Sequence, residues 1–334
     1  MSIPVYMFAG FLESGKTSFI ASVLGDPGFT RDETTLLIQC EEGMEEYDED
    51  KLAKSGVSVV YLDSAEEVTT ERMQQLAEEL MQDKVGAVVA IEPSTGEILV
   101  MASAPTFNPD ELIIGKERGN NYMRELNNPR RPLWNRAVKS RYPPGSTFKL
   151  VTGLIGMQEG VLRPHYTYSC HMGYHLGGEH IGCHEHRSPL DLRYAIATSC
   201  NAYFCYVFRD IIESRKFADV KEGLDKWVDY VKSFGYGRKL DSDFLDEQKG
   251  YVPDAAYYNR VYRGSWNSYT VLSLSIGQGE LGCTPLQMAN LAAIVANRGY
   301  YYIPHIVKAI EGQDSLDSRF YEKQYAKVDA KYFE

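Results

Sequence analysis

The chain lacks the features that would place it in several special classes. Its 334 residues contain no run of 18 or more apolar residues, so no membrane-spanning helix is predicted. The amino terminus has no basic stretch followed by an apolar one, so no secretion signal is predicted either. A net charge of -11 excludes the basic excess that binding to nucleic acid requires. Six cysteines are too few for a disulfide scaffold in a chain of this length.

The acidic charge is concentrated at one end of the chain. Up to Asp83 there are 5 basic and 18 acidic residues, whereas all 7 His and all 3 Trp follow that position. Such a break indicates two unrelated segments, which we assign as residues 1–80 and 85–334. The apolar content of 44% is ordinary for globular domains, so a sizeable core is expected.

The first segment begins with a phosphate-binding pattern. Residues 10–17 (GFLESGKT) fit Gly-x4-Gly-Lys-Thr, between a predicted strand at 3–9 and a predicted helix at 18–24. In such a loop, backbone N–H groups cradle phosphates, the lysine reaches the outer phosphates and the threonine binds magnesium. The candidate nucleotide-binding residues are Gly10, Gly15, Lys16 and Thr17. The alternative is a fortuitous glycine turn.

The rest of this segment continues an α/β pattern. Strands are predicted at 35–39 and 57–62, and a helix at 73–81. Together with Cys40–Gly43, the segment resembles the start of a metallochaperone-type GTPase of the cobalamin-synthesis W class. The resemblance covers about 80 residues and implies GTP and Mg²⁺ as ligands.

The second segment has a different pattern of apolar runs and turns. Apolar runs at 85–91 and 97–102 flank the turn at 93–96, which predicts a β-hairpin. Helical patterns then dominate, at 146–159, 189–213, 221–234 and 284–297.

One of these helical patterns begins at a candidate nucleophile. Pro144 and Gly145 favour a helix start at Ser146, where free N–H groups and the helix dipole favour developing negative charge. Lys149 follows one turn later on the same face. A lysine kept neutral by burial can take the serine proton. Taken alone, Ser-x-x-Lys is also compatible with an ordinary helix start.

A second element of the same chemistry follows at Ser199-Cys200-Asn201, within the helical run 190–204. Ser199 could relay a proton between Lys149 and a leaving group. Asn201 could orient Lys149 and bind the substrate amide. The alternative is three residues on a helix surface.

Together these motifs resemble those of class B penicillin-binding proteins, most closely the elongation-type penicillin-binding protein 2. The matching stretches are 86–102, 142–149, 191–204 and 275–293. The resemblance spans residues 85–325 and implies the penicillin-binding/β-lactamase fold, an antiparallel sheet flanked by helices. With the first segment, the expected class is α+β preceded by a partial P-loop α/β segment. The family implies a serine D,D-transpeptidase of cell-wall synthesis and cell-shape maintenance that needs no cofactor for acyl transfer. It also implies a D-Ala-D-Ala stem peptide as substrate, β-lactams as inhibitors and a membrane glycosyltransferase as partner.

The family's third element, Lys-Thr/Ser-Gly on an edge strand, does not follow the Ser-x-Asn element. That strand supplies an oxyanion donor, and losing one such donor costs about 2.7–4 kcal/mol of transition-state stabilisation. We therefore expect the chain to be an incomplete and poorly active transpeptidase. β-Lactamases and β-lactam sensors share Ser-x-x-Lys, but the patch 277–287 (GQGELGCTPLQ) favours the transpeptidase.

Cysteine and histidine are crowded beside the second element. Cys170, Cys183, His186 and Cys200 provide three thiolates and an imidazole, a tetrahedral zinc set that some penicillin-binding protein 2 enzymes resemble. His184 could replace His186. The alternatives are a Cys170–Cys183 disulfide or buried free thiols.

The two segments imply different compartments. Nucleoside triphosphates are cytoplasmic, whereas the resemblance places the catalytic domain in the periplasm, anchored to the inner membrane. Without a signal or anchor, the chain as written is expected in the cytoplasm. Our hypothesis is a chimera of joined fragments, either an inactive product or one retaining a nucleotide-binding module.

Overall fold

The structure is a computed structural model that describes residues 20, 24, 35–39, 47–54, 56–61 and 69–334. The chain divides into two compact units, Met1–Glu79 and Leu80–Glu334. This boundary lies beside the predicted junction, and the assignment of the segments as separate domains stays a prediction. Within the described ranges, no helix is long and apolar enough to cross a membrane.

The described part of the first unit contains a parallel strand pair. Its elements are β1 (Thr35–Gln39), α1 (Glu49–Lys54), β2 (Val57–Tyr61) and α2 (Thr70–Leu80). Leu37 of β1 pairs with Val59 of β2, and parallel pairing requires a crossover connection such as the one containing α1. Among its described residues, Ile20, Leu24, Tyr47, Leu52 and Val57 form a cluster of buried apolar side chains. The predicted strands at 35–39 and 57–62 and the predicted helix at 73–81 are therefore confirmed, with shifts only at their ends, whereas the strand predicted at 3–9 lies outside the described residues.

The second unit contains the following elements. They are β3 (Gly86–Ile91), β4 (Ile98–Ala104), α3 (Arg118–Leu126), α4 (Arg136–Lys139), α5 (Lys149–Gln158), β5 (Gly173–Leu176), β6 (Glu179–Gly182), α6 (Leu192–Ala197), α7 (Asn201–Ile212), α8 (Val220–Ser233), α9 (Ala255–Val261), α10 (Pro285–Ala296), β7 (Tyr300–Tyr301) and β8 (Gln324–Tyr325). Strands β3 and β4 form the predicted antiparallel hairpin. Helices α4 and α10 pack against β3, so the hairpin is flanked by helices.

A helical core holds the second unit together. Helix α5 packs against α7, and α7 in turn packs against α8 and the 3₁₀ segment Ser268–Ile276. The rings of Phe148 and Phe208 meet the Trp227 ring edge-on, at centroid distances of 5.8 and 5.1 Å. All three side chains are fully buried. Each buried phenylalanine contributes roughly 2–3 kcal/mol of transfer free energy, so this contact fixes the start of α5 firmly.

Side-chain caps set where these helices begin. Asp191 accepts the Tyr194 N–H at the start of α6, and Thr284 forms a capping box with Gln287 at the start of α10. Cys200 begins α7 in the same way, because its Sγ accepts the Tyr203 N–H at 3.4 Å. The single helical run predicted over 189–213 is therefore wrong, since it is broken into α6 and α7.

Candidate active site and metal centre

Ser146 lies on a 3₁₀ turn, Gly145–Phe148, that leads directly into α5. The α-helix itself begins at Lys149, so the predicted helix start falls three residues later than expected. The Ser146 side chain is exposed, and Lys149 follows one turn on. A nucleophile in this position is accessible from solvent while its neighbour at i+3 points into the protein.

The turn that carries Ser146 is held from behind by the glycine-rich patch. The Gly145 N–H donates to the Gly277 carbonyl at 2.9 Å. Gly277 has a φ of 71°, and a Cβ on it would lie 2.3 Å from the Gly145 carbonyl oxygen. Three residues earlier, Tyr142 and Cys283 exchange backbone hydrogen bonds of 2.9 and 2.8 Å. The patch that the sequence marked as a family motif therefore supports the nucleophile turn.

Lys149 is buried, with 3% of its surface exposed. Its Nζ donates to the Ser199 carbonyl at 2.6 Å, to Ser199 Oγ at 2.8 Å and to Asn201 Oδ1 at 2.7 Å. These acceptors use all three ammonium protons. Burial lowers the pKa of Lys149 to about 8, against the opposing effect of the nearby Cys183 and Cys200 thiols. About a tenth of this amine is therefore neutral at pH 7, which allows it to act as a general base.

Ser199 lies in the break between α6 and α7 rather than within a helix. Its φ is 51°, in the left-handed region that costs a non-glycine residue about 1–3 kcal/mol. This backbone turns both its carbonyl and its hydroxyl towards Lys149. The strain thus provides two of the three acceptors around the amine.

Asn201 connects the amine to the adjacent β5–β6 hairpin. Its Oδ1 accepts from Lys149, while its Nδ2 donates to the Gly182 carbonyl at 2.9 Å. Its backbone N–H donates to Cys183 Sγ at 3.3 Å. Of the two roles predicted for Asn201, these contacts support the orientation of Lys149.

The four residues predicted as metal ligands lie together. One ligand atom each from Cys170, Cys183, His186 and Cys200 falls within 4.8 Å of the others. Cys183 Sγ and His186 Nε2 are 3.5 Å apart, whereas His184 Nδ1 is 4.0 Å from the same sulfur. The cysteines are free thiols, so a Cys170–Cys183 disulfide is not the arrangement present.

The electrostatics of the thiols differ. Burial raises the pKa of Cys200, and burial together with the neighbouring Cys183 raises that of Cys170. Burial also acts to raise the pKa of Cys183, but hydrogen bonds to its sulfur, first among them the one from the Asn201 N–H, outweigh it and lower the pKa to about 7. Cys183 is therefore the thiol that ionises first.

Sequence reasoning missed the groups behind Lys149. The centre of the Phe204 ring lies 5.9 Å from Lys149 Nζ. Cys205 Sγ lies 3.4 Å from Ser275 Oγ, and both of these side chains are buried. Helical spacing from Lys149 could not have found them, because they belong to α7 and to the Ser268–Ile276 segment.

The first unit contains the predicted nucleotide-binding residues and a second short motif. The predicted nucleotide-binding residues Gly10, Gly15, Lys16 and Thr17 lie outside the described residues. The unit does contain a Lys-Ser-Gly tripeptide at 54–56. Lys54 ends α1, Gly56 lies in a turn, and the tripeptide precedes Ser146 in the chain.

Comparisons with known proteins converge on one family. The family model "Penicillin binding protein transpeptidase domain" matches residues 86–332, more than half of the chain. A curated relative, the peptidoglycan D,D-transpeptidase MrdA of Acinetobacter baumannii, is 32% identical over 244 residues. The match covers 72% of this chain and 34% of the relative, so the chain spans about a third of that protein's length.

Solved structures agree with the sequence comparison. The PBP2 of Pseudomonas aeruginosa, in complex with WCK 5153, superposes with a TM-score of 0.65 at 30% identity, over 78% of this chain and 57% of that one. The penicillin-binding protein A of M. tuberculosis, as its penicillin G acyl-enzyme, gives a TM-score of 0.63 at 27% identity, over 82% and 61% respectively.

Proposed function

Because this chain belongs to the penicillin-binding protein transpeptidase family, we propose that its second unit is a serine D,D-transpeptidase domain of peptidoglycan synthesis, with Ser146 as nucleophile. The observation that carries the proposal is the buried amine of Lys149, held by Ser199 and Asn201 one turn from an exposed serine. The substrate class is a stem peptide that ends in D-Ala-D-Ala.

The proposed reaction is acyl transfer in two steps. Neutral Lys149 takes the Ser146 proton as Oγ attacks the carbonyl carbon of the penultimate D-Ala. The tetrahedral intermediate then expels the terminal D-Ala, whose amine receives a proton from Lys149 through Ser199 Oγ, 2.8 Å from Nζ. The amine of a neighbouring stem peptide attacks the resulting ester, which forms the crosslink and returns the proton to Ser146. The same first step with a β-lactam opens the ring and leaves a stable ester.

The measurement that tests this is intact-mass analysis after incubation with benzylpenicillin. We expect one stable adduct on the parent chain, no adduct on Ser146→Ala, and an unchanged adduct on Ser265→Ala, which removes an exposed serine elsewhere. No adduct on a chain shown to be folded would overturn the assignment for this chain. Rapid hydrolysis without an adduct would instead favour a β-lactamase.

We propose a structural zinc ion as a further ligand of this domain, held by Cys170, Cys183, His186 and Cys200. The donor set fits such an ion, because its atoms converge within 4.8 Å. His186 Nδ1 lies 3.0 Å from the Arg187 carbonyl and must donate to it, which leaves Nε2 as the free ligand atom. When bound, zinc would hold three thiolates together. The chain's own Asn201 would then be fixed against Lys149.

Metal analysis of the purified chain tests this proposal. We expect about one zinc per chain, reduced strongly in Cys183→Ser and retained in Cys283→Ser, which removes a buried thiol elsewhere. Equal zinc content in all three proteins would contradict the assigned ligands.

A nucleotide-binding module in the first unit is the second candidate function, and the sequence pattern at residues 10–17 favours it. We propose GTP with Mg²⁺ as its ligand. GTP should raise the melting temperature of the parent chain, and Lys16→Ala should abolish the increase. An equal increase in both proteins would remove this candidate.

Partners and location follow from the resemblance and are proposals too. The transpeptidase domain would act in the periplasm beside a membrane glycosyltransferase. Cell fractionation with an antibody against the second unit tests this location, and a signal confined to the cytoplasmic fraction would contradict it. A continuous sequencing read across the locus tests the chimera hypothesis, because intact flanking genes for both parents would support it. Detection of a single unbroken transcript and protein would argue against it.

A further inference from the structure

The β5–β6 hairpin carries a pair of imidazoles that the proposed acyl transfer does not use. His175 and His180 are direct partners in the antiparallel register. Side chains of such partners leave the same face with Cβ atoms about 4.5–5.5 Å apart. Both side chains are exposed, and their ring centroids are 4.5 Å apart with an angle of 22° between the planes. Two imidazoles therefore stand side by side at the surface.

Hydrogen bonding fixes the protonation of one of these rings. His175 Nε2 lies 3.0 Å from the His171 carbonyl oxygen, which can only accept, so Nε2 carries the proton. Nδ1 is left with its lone pair. Histidines that bind metals commonly donate their other N–H to a backbone carbonyl in this way. Among the side chains that the structure describes, none bonds to the His180 ring, so either of its nitrogens is available.

The hairpin is also held in place at both ends. Its turn at Gly177 lies against the Tyr269 ring, and the Cys183 N–H donates to the Met172 carbonyl at 2.9 Å. A fixed backbone lowers the cost of bringing two ligands to one ion.

We propose that His175 and His180 form a second, solvent-exposed metal site for a divalent late first-row transition ion. The ion would be coordinated by the two imidazoles and by water molecules. Imidazole suits Ni²⁺, Cu²⁺ and Zn²⁺, with affinity following the general order for these ions. Neither histidine belongs to the cluster of Cys170, Cys183, His186 and Cys200, so the two sites share no ligand.

The test is calorimetric titration with Ni²⁺ of the untagged chain carrying one equivalent of zinc, so that the thiols are occupied and the two imidazoles stay open. We expect one Ni²⁺ per chain. His175→Gln and His180→Gln should each weaken binding at least about tenfold, because either change leaves a single ligand without its neighbour. The double variant should be no more than about threefold weaker than either single variant. His165→Gln removes an exposed imidazole elsewhere, and His171→Gln keeps the carbonyl that His175 uses, so both should bind as the parent does.

Several outcomes would overturn the proposal. These are no Ni²⁺ binding to the zinc-loaded chain, single variants that bind as His165→Gln does, or losses that simply multiply in the double variant. If a variant melts differently from the parent, protection from diethylpyrocarbonate on the parent chain decides instead. Ni²⁺ should protect His175 and His180 together and leave His165 reactive, and equal protection of all three would contradict the site.

Discussion

The pKa of Lys149 should govern how acylation depends on pH. With a pKa of about 8, roughly one amine in ten is neutral at pH 7, against about one in three thousand for an ordinary lysine. If the neutral amine takes the Ser146 proton, the acylation rate should rise about tenfold per pH unit below pH 7 and level off above pH 8. The pKa is lowered, so activity is lost as pH falls through it.

Asn201→Asp is the perturbation that tests this reasoning. It places a carboxylate where Oδ1 now lies, 2.7 Å from Nζ, with almost no change in shape. An opposite charge at that distance should raise the pKa of Lys149 by about 1–3 units. The rate at pH 7 should then fall about tenfold or more, while much of the rate should return above pH 9.

The assay is the second-order rate constant for labelling by a fluorescent penicillin, measured from pH 6 to 10 at constant ionic strength. The decisive quantity is the midpoint of the profile. The substitution also removes the bond to the Gly182 carbonyl, which would lower the rate at every pH without moving the midpoint. A flat parental profile, or an unmoved midpoint in Asn201→Asp, would refute the role of Lys149 as base.

Three further outcomes are expected. Gly277→Ala should lower the free energy of unfolding by about 2 kcal/mol or more and slow labelling, because its Cβ would meet the Gly145 carbonyl at 2.3 Å, and urea titration measures the first effect. Gln287→Leu should cost about 2–3 kcal/mol in the same assay, since the two Nε2 protons are shared among three buried carbonyls, and a cost under 1 kcal/mol would contradict this. In the metal-free chain at pH 7, Cys183 should react with iodoacetamide before Cys170, Cys200, Cys205 and Cys283, because about half of it is thiolate, as peptide mapping would establish.

The features that could be predicted from the sequence are those set by residues close together in the chain. The spacing of Ser146 and Lys149 on one helical turn follows from helix geometry alone, as does the β3–β4 hairpin from alternating apolar runs and a turn. The break at Ser199 could not be predicted, because no propensity favours a serine with a φ of 51°. Tertiary contacts with Lys149 hold it there.

The choice between His184 and His186 as the metal ligand could not be made from the sequence either. Spacing could not separate His184 from His186, and the structure distinguishes them by position, because a ring nitrogen of His186 lies within 4.8 Å of the sulfurs of Cys170, Cys183 and Cys200. Gln287 lies in the family motif at 275–293, and no role was predicted for it from the sequence. Its amide is fully buried and closes the α10 cap, so its contribution is to stability.

The backbone contacts behind Ser146 have a consequence for synthesis of the chain. Tyr142 and Cys283 are 141 positions apart, and Gly145 is bonded to Gly277. During translation, Ser146, Lys149, Ser199 and Asn201 all leave the ribosome well before the partners of the nucleophile turn exist. A nascent chain that stops before residue 277 therefore contains every predicted catalytic side chain, yet its serine would stay inert towards penicillin until the glycine-rich patch emerges.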